Sequence, residues 1–454
     1  MQSISCTHTY GSSQRQWRSS RSLGSRWLIT FALLSALFNA SKISAAPSKT
    51  TQQSEELAAC INEGSGFTRT TWNGSILNDT LPNIKVEKIW WSQRPPKFPV
   101  TVLTQLSVDR MPALFNQCTT YLGPMSAAVY LPLVQLDKDG TAELSKENQK
   151  KVSNEAARIG RMYDSIEASG GCQLDLMFVY EVFDSLEATM LYPVNTLRNL
   201  ARMQVRTRLL SAIDVDMMIS KTLSEELSDP ARIAALEELA LSRVATVLPA
   251  FEPSRQGPVG RTIADHVALA SKGDIAKMFR AKELLQFKLK VFPRGHTPTN
   301  YTWWFQTGAP YPVAYKRMFE PWFITHWDVM PWFDVNFKGY GLNKIVHVAS
   351  LNYYGFTFQV HPGAWLVHRP HEDTKVRKVV AHQASDVNKL GVKLPKNALY
   401  YKVTILFGAA KRAMIKGEFS PRLDDRMVAC FNKLPWLQPL KQLKGSPVDA
   451  SLFI

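Results

Sequence analysis

Leu209-Leu-Ser-Ala-Ile-Asp-Val-Asp-Met-Met-Ile219 is the stretch on which the fold turns. Its opening residues are apolar or small, the texture of a strand buried on both faces of a parallel sheet. Asp214 and Asp216 then arrive with one valine between them. Two carboxylates at the end of a buried strand are costly unless something pairs with them. At the carboxyl edge of an open α/β sheet, where ligands bind, the natural partner is a hard divalent cation carrying a diphosphate. A capped turn is the competing reading of the same two residues. The chain supplies its own comparison in Asp137 and Asp139, which share the spacing but stand in Leu136-Asp-Lys-Asp-Gly140 and read as a solvated turn.

Outward from that stretch, strand and helix signals alternate. Val100–Leu106, Ala127–Leu133, Leu174–Val182, Leu209–Ile213 and Val244–Ala250 read as strands. Arg110–Tyr121, Lys146–Ser165, Val194–Arg206 and Ser224–Leu241 read as helices between them, and Asp274–Phe287 as a further helix. Alternation of this kind predicts βαβ units and a Rossmann-like α/β sheet flanked by helices. Tyr301–Tyr340 is aromatic in texture, with Trp303, Trp304, Trp322, Trp327 and Trp332; it reads as core or as a sugar-stacking wall.

The chain has 454 residues, with Lys and Arg outnumbering Asp and Glu by 54 to 38. The resulting charge of +16 suits acidic ligands. The basic residues are dispersed and no nucleic-acid motif accompanies them, so nucleic acid is not an expected partner. Residues 1–26 carry arginines and no acid and read as a cytoplasmic tail. Residues 27–46 then read as a signal anchor, with a cleaved signal peptide as the competitor. Residues 47–97, rich in Ser, Thr, Gln and Asn and holding glycosylation acceptors at Asn73 and Asn78, read as a stem. The catalytic domain is then expected over 98–435, with a C-terminal tail at 436–454. Cysteines 6, 60, 118, 172 and 430 allow one or two disulfides in an oxidising lumen, with pairing left open.

Tyr192-Pro-Val-Asn-Thr-Leu-Arg-Asn199, Ile213-Asp-Val-Asp-Met217, Leu248-Pro-Ala-Phe-Glu252, Gly295-His-Thr-Pro-Thr-Asn300, Phe319-Glu-Pro321, Gly339-Tyr-Gly-Leu-Asn-Lys344 and Trp365-Leu-Val-His-Arg-Pro-His371 follow in that order. In this order they resemble glycosyltransferase family 49 over residues 98–435, and Val100–Arg110 resembles the family's first strand and turn. The resemblance implies a GT-A fold that binds a UDP-sugar through Mn2+ or Mg2+ and moves glucuronic acid, with inversion, to a glycan or glycoprotein acceptor. It also implies a single-pass type II protein of the Golgi membrane with its catalytic domain lumenal. The xylosyltransferase domain that some relatives carry upstream is not expected, nor is a two-activity polymerase.

The resemblance adds His368, in the apolar run Ala364-Trp-Leu-Val-His368, to Asp214 and Asp216 as metal ligands. His361 and His371 read as surface or supporting residues. Asn195, Arg198 and Asn199 share one side of a helix opening after Pro193 and are expected to hold the donor, as are Gln105, Asp109 and Arg110 at the end of a buried strand. Asn343 and Lys344 stand where related enzymes often place an acid, and Lys344 is expected to hold a donor carboxylate. For the base that inversion requires, Asp334 and Glu320 are the candidates, with Asp334 slightly preferred. A metal-dependent phosphohydrolase and a catalytically inactive glycan-binding relative are the rival readings.

Overall fold

A computed structural model describes residues 51–64, 66–72, 81–136, 143–394, 398–438 and 440–453. The expected tail at 1–26, anchor at 27–46, acceptors Asn73 and Asn78, and the Asp137/Asp139 turn lie outside the described residues. Among the described residues, no helix is long and apolar enough to cross a membrane.

The architecture is α/β, with two mixed sheets. The larger has nine strands in the order β1-β4-β3-β2-β5-β11-β7-β12-β10. Its central strands are β2 (Val100–Ser107), β3 (Pro124–Val134), β4 (Gln173–Phe183) and β5 (Leu209–Ala212), all mutually parallel. β7 (Val244–Leu248) and β12 (Thr357–Val360) extend the same direction, while β11 (Trp322–His326) runs antiparallel between β5 and β7. β1 (Lys85–Trp91) and β10 (Tyr311–Val313) are the antiparallel edges. The inner strands are buried on both faces, which explains why they read as largely apolar runs, with the few polar residues among them, such as Asp175 and Glu181, buried and paired. Strand order reverses between β2 and β5, the switch point at which such sheets take their ligands.

A second, four-stranded sheet runs β6-β13-β8-β9, with β6 Met217–Ile219, β8 Ala250–Pro253, β9 Leu284–Gln286 and β13 Leu366–His368. Three of its strands continue from strands of the larger sheet. β5 passes through Ile213–Asp216 into β6, β7 passes through Pro249 into β8, and β12 leads to β13. Pro249 lacks the N–H that one continuous strand would need, so the single strand expected over Val244–Ala250 is two strands in different sheets.

Two helix expectations are corrected in the same local terms. Ser224–Leu241 is interrupted, because Asp229 caps a new helix, Pro230–Leu241, with its carboxylate accepting from Ala231 and Arg232 N–H. Asp274–Phe287 is helical only within Lys272–Arg280. Lys282 then turns the chain at φ 59° and Leu284–Gln286 pairs with β8.

The boundary at residue 98 also moves. Helix Thr51–Asn62, inside the expected stem, buries Leu57 and Ile61 and is joined to helix Asp425–Lys433 by the Cys60–Cys430 disulfide. β1, also inside that stretch, completes the sheet beside β4. At the far end, inside the expected tail, Phe453 is buried and Trp436 donates to Glu56 at 3.0 Å. A second disulfide, Cys118–Cys172, joins helix Met111–Thr120 to the residue before β4.

Candidate active site

The site is built where β5 ends. Asp214 and Asp216 occupy the crossing from one sheet to the other, both half-buried, with Val215 between them turned into the core. Their side chains therefore face a common cleft but meet different partners.

Asp216 meets imidazoles. Antiparallel pairing of β13 with β6 sets His368 opposite Met217, and Arg369 N–H donates to the Asp216 carbonyl at 2.8 Å. That register brings His368 Nε2 to 3.7 Å from Asp216 Oδ2 and His371 Nε2 to 2.7 Å. Asp216, His368 and His371 offer ligand atoms all within 4.8 Å of one another. Burial opposes ionisation of Asp216, but the two histidines outweigh it and hold the carboxyl well below its usual range. His371 Nδ1 lies 2.6 Å from the Glu372 carbonyl, which fixes the ring and leaves Nε2 aimed at the carboxylate. One carboxylate oxygen and two imidazole nitrogens make a donor set suited to a borderline divalent ion such as Mn2+.

Asp214 meets cations instead. Arg198 Nη2 reaches Oδ1 at 3.0 Å and Lys344 Nζ reaches Oδ2 at 2.6 Å. Burial would raise the Asp214 carboxyl, but Lys344 and Arg198 prevail and lower it. The two aspartates expected as metal ligands thus meet different partners: Asp216 lies against the histidines, and Asp214 pairs with the two cations. His371, expected as a surface or supporting residue, lies in the same cluster as Asp216 and His368; its signal in the sequence was the His-x-x-His spacing with His368.

Helix Val194–Met203 supplies Arg198 and is buried along its whole length. A helix this polar tolerates burial because its side chains are spent on backbone groups of the 327–334 loop. Asn195 donates to the Asp334 carbonyl at 2.8 Å. Asn199 donates to the Phe333 carbonyl at 2.8 Å and accepts from Phe333 N–H at 3.0 Å. Arg202 donates to the carbonyls of Trp327, Met330 and Pro331. Arg198 Nη1 donates to Asn195 Oδ1 and Asn343 Oδ1 at 3.0 and 2.8 Å. Of the two asparagines expected to hold the donor, Asn195 accepts from Arg198 and Asn199 is bonded to Phe333, while Asn343 accepts from Arg198 as well.

Gly339 and Gly341 have φ of 72° and 104°, a backbone that favours glycine. A Cβ at Gly339 would meet the Met190 carbonyl at 3.0 Å, and its N–H donates to the Tyr192 carbonyl at 2.8 Å. This close approach seats Asn343 and Lys344 at the start of helix Asn343–Tyr353, facing Arg198 and Asp214. Lys344 also lies 3.7 Å from the Trp322 ring centre. Gln105, near the end of β2, accepts from the Tyr192 hydroxyl. Asp109 is exposed in the turn Val108–Arg110, and Arg110 reaches Asp216 Oδ2 at 3.6 Å and His371 Nδ1 at 3.1 Å.

The two base candidates separate. Glu320, just before β11, has its carboxylate 3.9 Å from Lys344 Nζ. Asp334 accepts from Asn336 N–H at 3.0 Å, and burial raises its carboxyl to about 6. Among the described residues, no ion pair or hydrogen bond joins the Asp334 carboxylate to Asp214, Asp216 or Lys344. Lys288, which the sequence did not single out, follows β9 at φ 51°; burial opposes its charge, but Glu320, Tyr340, Asp214 and Asp216 outweigh burial and raise it.

A row of cations beside a carboxylate–imidazole cluster, at the switch point of an α/β sheet, is what an enzyme handling a sugar nucleotide requires. By sequence the chain belongs to glycosyltransferase family 49: the family described as "Glycosyl-transferase for dystroglycan" matches residues 99–400. It is similar to the human "Xylosyl- and glucuronyltransferase LARGE2", at 32% identity over 61% of this chain and 34% of that one. It is similar to the mouse "Xylosyl- and glucuronyltransferase LARGE1" at 29% identity over 60% of this chain and 31% of that one. The chain therefore spans about a third of the length of these relatives.

A consequence concerns the histidines. His371→Ala is expected to weaken Mn2+ affinity at least as much as His368→Ala, by about ten- to a hundredfold, because His371 lies nearer Asp216. Titration of Mn2+ against UDP binding measures both; an unaffected His371→Ala removes that residue from the ligand set.

Proposed function

We propose that the chain is a GT-A glycosyltransferase that moves glucuronic acid with inversion from UDP-glucuronate to a glycan or glycoprotein acceptor. Mn2+ or Mg2+ would be held by Asp216, His368 and His371. The observation that carries this reading is that carboxylate–imidazole cluster at the β2/β5 switch point, flanked by Arg110, Arg198 and Lys344. When bound, such a cation neutralises charge that develops on a diphosphate leaving group. Asp214 orients Arg198 and Lys344 toward the same diphosphate, and Gln105, Asp109 and Arg110 face the nucleotide from the end of β2. Glu320 is the base: it takes the proton of the attacking acceptor hydroxyl. Asp334 supports the fold around Asn195.

The relatives' names give xylosyl and glucuronyl transfer. Of the two sugars, the one bearing a carboxylate suits a cleft this rich in cations. The two disulfides favour an oxidising lumen and agree with an arginine-flanked apolar run as a Golgi signal anchor. Against the phosphohydrolase rival, the described residues hold a single cluster of metal-ligating side chains, where a two-metal hydrolase needs a pair. The test is a panel of UDP-sugars offered to the full chain with Mn2+ and a glycan acceptor. Transfer of glucuronate that stops in chelator is expected. Transfer that persists in chelator, or donor hydrolysis with no acceptor product, overturns the reading.

A further inference from the structure

Lys288 differs from the other cations of the site in what its ammonium meets. Lys344 is committed to Asp214 at 2.6 Å, Arg198 to Asp214 and Asn343, and Arg110 to Asp216. Among the described residues, no hydrogen bond or ion pair closes on the Lys288 ammonium, whose neighbour is the Phe287 ring centre at 5.0 Å. The residue is nevertheless held firmly. Its backbone sits at φ 51°, a left-handed conformation rare for a residue with a side chain, and its N–H is bonded to the Glu252 carboxylate of β8. Beneath it, Phe287 packs edge-on against Trp322 and tilts against His368, each at 5.3 Å.

We infer that Lys288 binds the carboxylate of the transferred sugar, an inference that rests on the uronate-donor reading above. The ammonium stands over the Phe287 ring, which packs against both His368 of the metal cluster and Trp322, and Trp322 carries Lys344, whose Nζ lies 3.9 Å from Glu320. The diphosphate belongs with the Asp216–His368–His371 cluster and the arginines beside it. Glu320 belongs with the reacting carbon and the acceptor. An ammonium seated on a ring that touches both neighbourhoods faces the sugar ring, between the two. Lys344, expected from sequence to hold that carboxylate, already has Asp214 as its anion. A neutral sugar offers Lys288 no counter-charge, so the residue discriminates uronate from hexose.

The experiment titrates UDP-glucuronate, UDP-glucose and UDP into the full chain with Mn2+, comparing wild type with Lys288→Met and Lys288→Arg. Wild type is expected to bind UDP-glucuronate about tenfold or more tighter than UDP-glucose. Lys288→Met should remove that preference and leave UDP affinity within about twofold, consistent with one lost charge-assisted contact. Lys288→Arg, which keeps the charge and guards against a folding defect, should retain part of the preference. Equal weakening of all three ligands assigns Lys288 to the diphosphate and overturns the inference, as does a preference that survives Lys288→Met or is absent from wild type. Metal-dependent UDP binding without a Lys288-dependent preference sinks this inference alone. If UDP does not bind in a metal-dependent way, the transferase reading falls and takes the inference with it.

Discussion

Asp216→Asn is expected to abolish Mn2+-dependent UDP binding and to cut transfer at least about a hundredfold, since loss of groups that merely support a metal ligand already costs about ten- to a hundredfold. Asparagine keeps the shape of the side chain but takes away the one negative charge that His368, His371 and Arg110 share. A divalent ion would then meet two imidazoles beside a guanidinium, with no anion to offset them. The fold should barely notice. The histidine contacts that hold the Asp216 carboxyl low are set against the cost of burying its charge, and asparagine loses the first and is spared the second, so the two changes offset. The ligand-free thermal midpoint should therefore stay within a few degrees of wild type. Asp137→Asn, in the Asp137/Asp139 pair of the same sequence spacing, is the comparison. Equal damage in that variant, or full transfer by Asp216→Asn, would remove Asp216 from the metal site.

Glu320→Gln is the second large effect: turnover should fall about 10²–10⁴-fold while UDP and donor affinities hold, because the amide keeps the shape but accepts no proton. Asp334→Asn should leave turnover close to wild type. It should also reveal a pH-dependent stability of definite sign. Burial raises the Asp334 carboxyl to about 6 in the folded chain, so the neutral form favours folding. That contribution is complete below the unfolded value near 3.9 and is lost as pH rises through about 6. Asparagine escapes the loss, so the variant's advantage in thermal midpoint should be largest above pH 6 and vanish near pH 4. If Asp334→Asn loses turnover and Glu320→Gln does not, the two roles are exchanged.

What the sequence made legible follows from how far each signal travels. β2, β3, β4 and β5 announce themselves because strands buried on both faces are predominantly apolar rather than alternating. The smaller sheet does not, since β6, β9 and β13 are three residues long and exist only through pairing with distant segments. Helix Thr51–Asn62 looks like stem because its polar residues outnumber Leu57 and Ile61; a disulfide to residue 430 is what docks it. In the site, motif order pointed to Asp216 and His368, which the fold brings to one cluster, whereas the two cations that meet Asp214 approach from residues 198 and 344 with no local signal joining them to it. Asn195 and Asn199 lie on the expected helix face, yet they spend their amides on a loop more than 130 residues away. Lys288 carried no signal, being one lysine in Lys288-Leu-Lys290.

The Cys60–Cys430 bond gives the molecule a mechanical property that no single element has. It closes a covalent ring across a sequence separation of 370, and both large-sheet and small-sheet strands lie inside that ring. A pull applied to the chain on either side of the ring enters at one sulfur and leaves through the other. The strands between carry no tension, and Asp216, His368 and His371 hold their spacing under load. Reduction of this one bond removes the bypass and puts every later strand in series with the force.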